Sequence, residues 1–506
     1  MTKKYKIFLC GALLLGLVNC QTTKPVQTTY ISPLTRQPSA ALRSETQGPI
    51  DDCLDHAYLY ARYDGLKSEC TMNYVHYYSE KTIPTGVPEG GKLRIGSFNL
   101  FHLGDNQSSL KNFALTAEIM NQWDVVGAQE LMPLPTEQAI SNHAICSLII
   151  QSGDNNDYIK RKLQVDRPGY LILLNELRRL DPSWSLILQP MAEGDGSSGE
   201  MAGFYYRKAV VQLRDCDYCP AERSIDLKSQ NPTKSYGCLA QIPPEQQKLV
   251  SRRAFVTYFQ SGKFDFIGMT AHVRFRAADL ESDLRLQENE ICQNHEDPKK
   301  CKPTKDNVGR YYEVKAVADQ IDSIQRSARD KDVIYMGDFN VEYNTKTISY
   351  WKAALKSAEG FFVYQNLPTT LAVQRESLLS NYDHFIFNPK ITTQCSPESV
   401  KPYDFTSSKT PTNALQEKIA DAASPVNVQK QIEKRMGEIE NFAKAKVNKD
   451  NSILVSNLDQ KEVDEYKNRF AGTVERMKKN HVGAMLELIS DHIPIEMECQ
   501  TNGESK

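Results

Sequence analysis

The sequence predicts a layered α/β domain, on three observations. Short apolar runs with turn residues at their ends recur along the chain, helix-favouring stretches separate several of them, and the chemically interesting polar residues stand at or just beyond the ends of those runs. Sheets of this kind commonly place ligands at such strand ends. With 506 residues the chain can bury one large core or two modest ones, so a single domain with extensions and insertions is admissible.

The elements follow from the start of the chain. Met1 to Lys6 is basic, Ile7 to Val18 is apolar, and polar Gln21-Thr22-Thr23-Lys24 follows, which is the layout of a secretory signal peptide. The apolar run is too short to span a bilayer comfortably. Leu17-Val18-Asn19-Cys20 resembles a bacterial lipoprotein cleavage box, although Asn19 departs from the usual small residue. Residues 1–20 are therefore expected to be a signal peptide of lipoprotein type with lipidation at Cys20. An ordinary soluble signal peptide is the alternative, and both place the protein outside the cytoplasm, anchored at the cell envelope or secreted. Residues 21–50, rich in Thr, Pro, Ser and Gln, read as a flexible tether. Residues 51–90 form an extension with Cys53 and Cys70, closed by the loop Thr85 to Gly91.

Residues 91–500 carry the predicted domain. Strands are expected at Leu93–Leu100, Val125–Ala128, Gly203–Tyr206, Ala254–Phe259, Phe264–Ala271, Val333–Met336, His384–Phe387 and Ile493–Met497. Helices are expected at Ser109–Gln122, Tyr170–Leu180 and Tyr311–Ala328. Asn413 to Lys479 breaks the rhythm as a long, charged, helix-favouring insertion whose charge reads as a solvated face.

Lys and Arg total 61 against 63 Asp and Glu, so no global positive field draws the protein onto phosphate polymers, and any such binding must be local. Of 12 Cys, those outside Cys10 and Cys20 form an even set, for which disulfides are expected in an oxidising compartment. Cys395 with Cys499 is the expected bridge near the end of the domain, and His295, lying between Cys292 and Cys301, reads as a loop residue beside a disulfide whose pairing is left open. No His cluster accompanies Cys216-x-x-Cys219 to argue for zinc.

The candidate chemistry lies in a set of strand-end residues. Asn99 ends the first strand, Glu130 the second and His272 a later one; Asp338 and Asn340 flank Phe339, Asp383 opens a strand, and Ser490-Asp491-His492 precedes the last. Phosphodiester hydrolysis needs a hard cation on carboxylate and amide oxygens, a base for water and an acid for the leaving oxygen, and these residue types supply each role.

At these residues, from about Lys92 to Cys499, the chain resembles the endonuclease/exonuclease/phosphatase superfamily, most closely its deoxyribonuclease I-like branch. The strings GDFN and SDH, spaced after FN and QE, carry the resemblance, and Ser251-Arg252-Arg253-Ala254 and Lys401-Pro-Tyr-Asp-Phe405 match further segments. It implies a two-layered β-sandwich flanked by helices, with an N-terminal extension and a helical insertion. It also implies that Glu130 is the principal metal ligand, with Asn99 beside it orienting metal or phosphate and Asp491 serving a second metal position or binding the water. Asp338 and Asn340 would hold the attacking water and the scissile phosphate. Asp383 would orient His492, Glu200 would partner His272, and Arg252 would contact phosphate. A small disulfide loop is implied at Cys216 and Cys219.

Where the branch places an Arg and a Tyr against duplex DNA, this chain has Met132 and Ser198, which puts reading of a duplex groove in doubt. The expected activity is that of an exported endonuclease for DNA, with RNA a further substrate, using Mg²⁺ or Mn²⁺, with Ca²⁺ steadying loops. The protein is expected to act as a monomer, with nucleic acid as its partner and a membrane reached only through the lipid at Cys20. A phospholipid phosphodiesterase of the sphingomyelinase kind is the alternative enzyme. A surface binding module with a vestigial rim is the alternative of another class.

Overall fold

The computed structural model describes residues 86–103, 110–132, 169–189, 192–194, 199–214, 216–219, 237–247, 250–275, 284–407, 412–440, 443–447 and 453–502. The signal region, Cys20, the tether, and Cys53 with Cys70 lie outside them. Among the described residues, no helix is long and apolar enough to cross a membrane.

Two sheets pack face to face. The first runs in the order β14 (Lys401–Pro402), β17 (Ile495–Gln500), β1 (Lys92–Leu103), β2 (Val125–Leu131), β4 (Met201–Arg207), β3 (Trp184–Leu188). The second runs β10 (Phe362–Tyr364), β13 (Asp383–Phe387), β9 (Val333–Asp338), β8 (Phe264–His272), β7 (Phe255–Ser261), β5 (Gln212–Leu213), with β6 (Gly237–Leu239) also on β7. Outside both sheets, β11 (Leu371–Ala372) pairs with β12 (Ser377–Leu378). Among the described residues, each of the two sheets holds one parallel pair, β1 with β2 and β8 with β9, among antiparallel neighbours. Parallel strands end at the same edge, so each pair delivers two C-terminal ends to one rim. The two pairs lie against each other: a Cβ at Gly127 of β2 would stand 2.8 Å from Met336 Sδ of β9.

Phe204, Phe255, Phe259, Phe264, Phe266, Met336 and Phe385 fill the space between the sheets. The outer face of the second sheet is covered by the helix Lys305–Ser327, which buries Val308, Tyr311, Val314, Val317, Ile321 and Ile324 at three- and four-residue spacing. That helix starts earlier than its apolar pattern suggests because the Thr304 side chain caps Asn307 N at 3.2 Å. The last strand starts later than predicted, after Pro494, whose missing N–H cannot join the ladder. The strand Trp184–Leu188 was not anticipated.

The segment Asn413 to Lys479 folds as three helices, Asn413–Ala422, Pro425–Glu440 and Gln460–Lys479, with a hairpin of β15 (Ala443–Val447) and β16 (Ile453–Asn457). Leu415, Ile419, Val428, Ile432, Ile439, Phe470 and Met477 join the same core as Phe98 and Leu100 of β1. The segment thus closes the outer face of the first sheet while its charges face water.

Cys395–Cys499 and Cys292–Cys301 are bridged, with Cα separations of 4.0 and 5.4 Å. The expected loop between Cys216 and Cys219 is replaced: Cys219 pairs with Cys238, and Cys216 Sγ lies 2.9 Å from Cys219 Sγ. The reason is the pairing of β6 with β7, which brings Cys238 over the turn at Cys219.

At the far side of the first sheet, Arg207 is fully buried. Its guanidinium donates to Asp181 Oδ2 at 2.5 Å, to the Trp123 carbonyl at 3.0 Å and to the Asn121 carbonyl at 2.6 Å, and lies 4.6 Å from the Trp184 ring. Removing one partner of such a group leaves buried carboxylates uncompensated. Arg207→Ala is expected to lower unfolding stability by about 3–5 kcal/mol in urea denaturation, with the rim chemistry intact below the transition.

Candidate active site

The backbone converges on the rim before any side chain is considered. The β8–β9 register sets His272 opposite Asp338, and the β13–β9 register sets Asp383 opposite the same Asp338. Asn99 and Glu130 come from the ends of β1 and β2, whose ladder slips between Asn99 and Leu103. His492 is brought in by a bridge to Thr370. The structure therefore gathers Asn99, Glu130, Glu200, His272, Asp338, Asn340, Asp383, Asp491 and His492 at one edge of the sandwich.

Two of these, Glu130 at φ 57° and Asn340 at 52°, sit in left-handed backbone, as do Phe101 at 46° and His102 at 52° beside them. Such conformations cost energy in a non-glycine residue and persist where surrounding contacts hold them. Here the contacts are specific. Glu130 Oε2 accepts His102 N at 2.9 Å, and Asp338 Oδ1 accepts Asn340 N at 2.8 Å. Gly337 is required at φ 148°, where a Cβ would run into the carbonyl of Ala271.

Asn99 is fully buried and ties the sheets together. Its Nδ2 donates to Glu130 Oε1 and to Asp338 Oδ2, both at 3.0 Å, while its Oδ1 accepts Phe101 N at 2.9 Å. Carboxylates only accept, so this network sets the amide orientation. Its oxygen is engaged by backbone and its nitrogen aligns two carboxylates, one of them the expected metal ligand Glu130.

Two imidazole–carboxylate pairs flank Asp338. His492 Nδ1 lies 2.7 Å from Asp383 Oδ2, which also accepts Thr369 Oγ1 at 2.6 Å. His272 Nδ1 lies 2.5 Å from Glu200 Oε1. With Nδ1 engaged, each ring turns Nε2 inward, and both Nε2 atoms stand 3.5 Å from Asp338 Oδ2. Asn340 Nδ2 lies 3.2 Å from His272 Nε2 and donates to the Val273 carbonyl at 2.8 Å.

The electrostatics follow from this crowding. Burial works against charge on His272, and the carboxylates of Glu200, Asp338 and Glu130 outweigh it, raising the imidazole to about 9. His492 is raised in the same way, burial being overcome by Asp383, Asp338 and Asp491. Burial also opposes ionisation of Glu130, yet the two neighbouring imidazoles of His272 and His102 and the Asn99 amide hold it down at about 2. Asp491 is pushed up to about 6 by burial and by Glu130 and Asp338, against the pull of His492 and Lys111.

Arg252 does not point freely outward. Its Nε lies 2.8 Å from Glu200 Oε1 and its Nη1 donates to the His272 carbonyl at 3.3 Å, so it braces the Glu200–His272 pair. Arg253 does similar work one step back, its N and Nε each donating at 2.7 Å to Glu193, which pairs with Glu200 through backbone bonds of 2.9 Å. His295 and His481 lie on other elements, His295 beside the Cys292–Cys301 bridge and His481 at the start of the helix His481–Leu488.

Sequence reasoning missed Thr369, His102 and Lys111. Half-buried Lys111 donates Nζ to the Ile489 carbonyl at 2.9 Å, 4.9 Å from the Phe101 ring centroid. Burial lowers its pKa to about 8 against the attraction of Asp491, Glu487 and Glu130. Nothing in its local string signals this, because its partners come from the other end of the chain.

Ligand atoms of Glu130, Glu200 and His272 lie within 4.8 Å of one another, and Asp491 Oδ1 is buried with no hydrogen-bond partner. Glu200 and His272 already bind each other at 2.5 Å. The oxygen donors of Glu130 and Asp491 are the ones that fit a hard divalent cation.

No family model and no curated protein matches the chain. Among solved structures it is similar to an endonuclease/exonuclease/phosphatase family protein from Bacteroides thetaiotaomicron, at 12% identity over 80% of this chain and 94% of that one, TM-score 0.35. This is the family that the sequence motifs resemble. It is also similar to D. rerio TDP2 complexed with single strand DNA product, at 12% identity over 80% and 98% of the two chains, TM-score 0.32. The human Nocturnin catalytic domain with bound sulfate anion is similar at 11% identity over 62% and 85%, TM-score 0.30. Likenesses of this size carry no argument about chemistry, which rests on the geometry of this chain.

The His272 charge depends on its partner. In the metal-free protein, NMR titration is expected to find His272 protonated up to about pH 9, and Glu200→Gln should move its titration to lower pH. An unchanged midpoint in that variant would show that the pair does not set the proton affinity.

Proposed function

We propose that this protein is a metal-dependent phosphodiesterase acting outside the cytoplasm, with nucleic acid as its substrate and endonucleolytic cleavage as its reaction. The observation that carries the reading is the pair of imidazole–carboxylate couples, His492–Asp383 and His272–Glu200, turned toward each other across Asp338 beside Glu130.

Each member then has work suited to its place. Asp338 accepts a hydrogen bond from an attacking water and fixes its direction. His492, held through Nδ1 by Asp383, has Nε2 free to exchange a proton with water or leaving oxygen. His272 and Asn340 face the same space and hold the phosphate oxygens, His272 keeping its positive charge through Glu200. Arg252 stiffens that second couple. A divalent cation held by Glu130, with Mg²⁺ or Mn²⁺ the ions suited to oxygen donors, would supply charge neutralisation at the phosphate. Asn99 keeps Glu130 and Asp338 aligned for these tasks.

Nucleic acid is favoured as the substrate by the motif resemblance, and Met132 and Ser198 favour substrates other than a groove-read duplex. Export is supported by the basic, apolar and polar succession over residues 1–24. The expected result is nicking of plasmid and cleavage of single-stranded oligonucleotides that EDTA stops and Mg²⁺ or Mn²⁺ restores. His492→Ala should lower the rate by about 10²- to 10⁴-fold while leaving the circular dichroism spectrum unchanged. Cleavage of sphingomyelin without cleavage of nucleic acid would replace the substrate, and a fully active His492→Ala protein would overturn the mechanism.

A further inference from the structure

The segment leaving β8 carries an aromatic ring outward from the active site. Val273 donates its N–H to the Asp338 carbonyl at 2.8 Å, and its own carbonyl accepts Asn340 Nδ2 at 2.8 Å. Arg274 follows, buried, with its N–H donating to Glu313 Oε2 at 3.0 Å. The Phe275 carbonyl then accepts Arg310 Nε at 3.0 Å and Nη2 at 2.5 Å. Glu313 and Arg310 both belong to the helix Lys305–Ser327, so three successive residues are pinned to the site or to that helix. Phe275 itself is 53% exposed, and the Arg310 guanidinium lies 4.9 Å from its ring centroid. A phenyl ring exposed on backbone this firmly held forgoes the stabilisation that burial would bring. Phe275 stands three residues past His272, within about 11 Å of it at full chain extension.

We infer that Phe275 is the platform on which an unpaired base of the substrate stacks, beside the phosphate held at His272 and Asn340. The guanidinium contact steadies the ring, and the exposed part of the ring receives the base. Every base has an apolar flat face, so such a platform binds single strands with little sequence preference. In a duplex those faces are already stacked on one another, and a base must leave the stack before it can reach the ring. The substrate class is therefore single-stranded nucleic acid, which accords with Met132 and Ser198 standing where the family has its duplex contacts. A lipid surface is the other apolar partner for an exposed ring. It calls for a broad apolar face, and the group lying against this ring is a guanidinium.

This inference rests on the nuclease reading above, and its test separates the two. The full chain, Phe275→Ala and Phe275→Trp are assayed with Mn²⁺ on single-stranded oligonucleotides holding one cleavable phosphodiester. Matched oligonucleotides carry an abasic residue on one or the other side of that bond. For the wild type, removing the base on one of the two sides should raise KM by about 5- to 150-fold, the worth of one stacked base. Phe275→Ala should show a rise of that order on the intact oligonucleotide, in KM rather than in kcat, and should be insensitive to the abasic residue. Phe275→Trp should restore the wild-type KM and its sensitivity. An unchanged KM in Phe275→Ala, or the same abasic effect in that variant as in the wild type, would overturn the platform and leave the nuclease reading standing. Failure of the wild type to cut any oligonucleotide, with cleavage of sphingomyelin vesicles that falls in Phe275→Ala, would overturn the nuclease reading itself and assign the ring to lipid.

Discussion

At the rim, a buried amide joins the two sheets of this molecule. Asn99 belongs to the first sheet, and its side chain spans Glu130 of that sheet and Asp338 of the other, with 3.0 Å bonds to each. Both carboxylates are desolvated, so losing this amide would strip one oxygen of each, Glu130 Oε1 and Asp338 Oδ2, of its donor. The Phe101 N–H fixes the amide from behind, at the cost of a left-handed backbone. Everything further out, from the two imidazoles to the place for a cation, takes its position from carboxylates held in this way.

The arrangement depends equally on strand direction. Because β1 with β2 and β8 with β9 run parallel, four strand ends meet at one edge, and close inter-sheet approach at Gly127 keeps the two pairs in register. The antiparallel strand β13 enters from the same edge and sets Asp383 opposite Asp338. Side-chain packing between the sheets is aromatic and continuous, which gives the rim a rigid floor. Strain at Glu130 and Asn340 is tolerated because that floor and the neighbouring backbone bonds overdetermine it.

Much of this was legible in the sequence. Strand ends announce themselves as apolar runs followed by Asn, Glu, His or Asp, so Asn99, Glu130, His272, Asp338 and His492 could be placed at one rim. The Gly of GDFN has a local cause, the positive φ of Gly337 against the Ala271 carbonyl. Other features depend on partners far along the chain. Lys111 meets Ile489, and Thr369 meets Asp383, through contacts that no local pattern encodes. Arg252 is matched to a phosphate contact by its motif, and only the fold shows that it is also braced on Glu200. The charged segment 413–479 read as a solvated insertion, since its inward residues are sparse; folding reveals that Ile432, Phe470 and their neighbours complete a core. The pairing of Cys219 with Cys238 likewise depends on the register of β6 against β7.

In the proposed mechanism, acids from two sheets, aligned by one amide and backed by two imidazoles, seat a divalent cation beside a water-directing aspartate. Anomalous diffraction from crystals grown with Mn²⁺ tests it most directly. The strongest peak is expected in bonding contact with the Glu130 carboxylate, on the side facing Asp338. Ions bound only elsewhere on the protein, with that carboxylate bare, would contradict it.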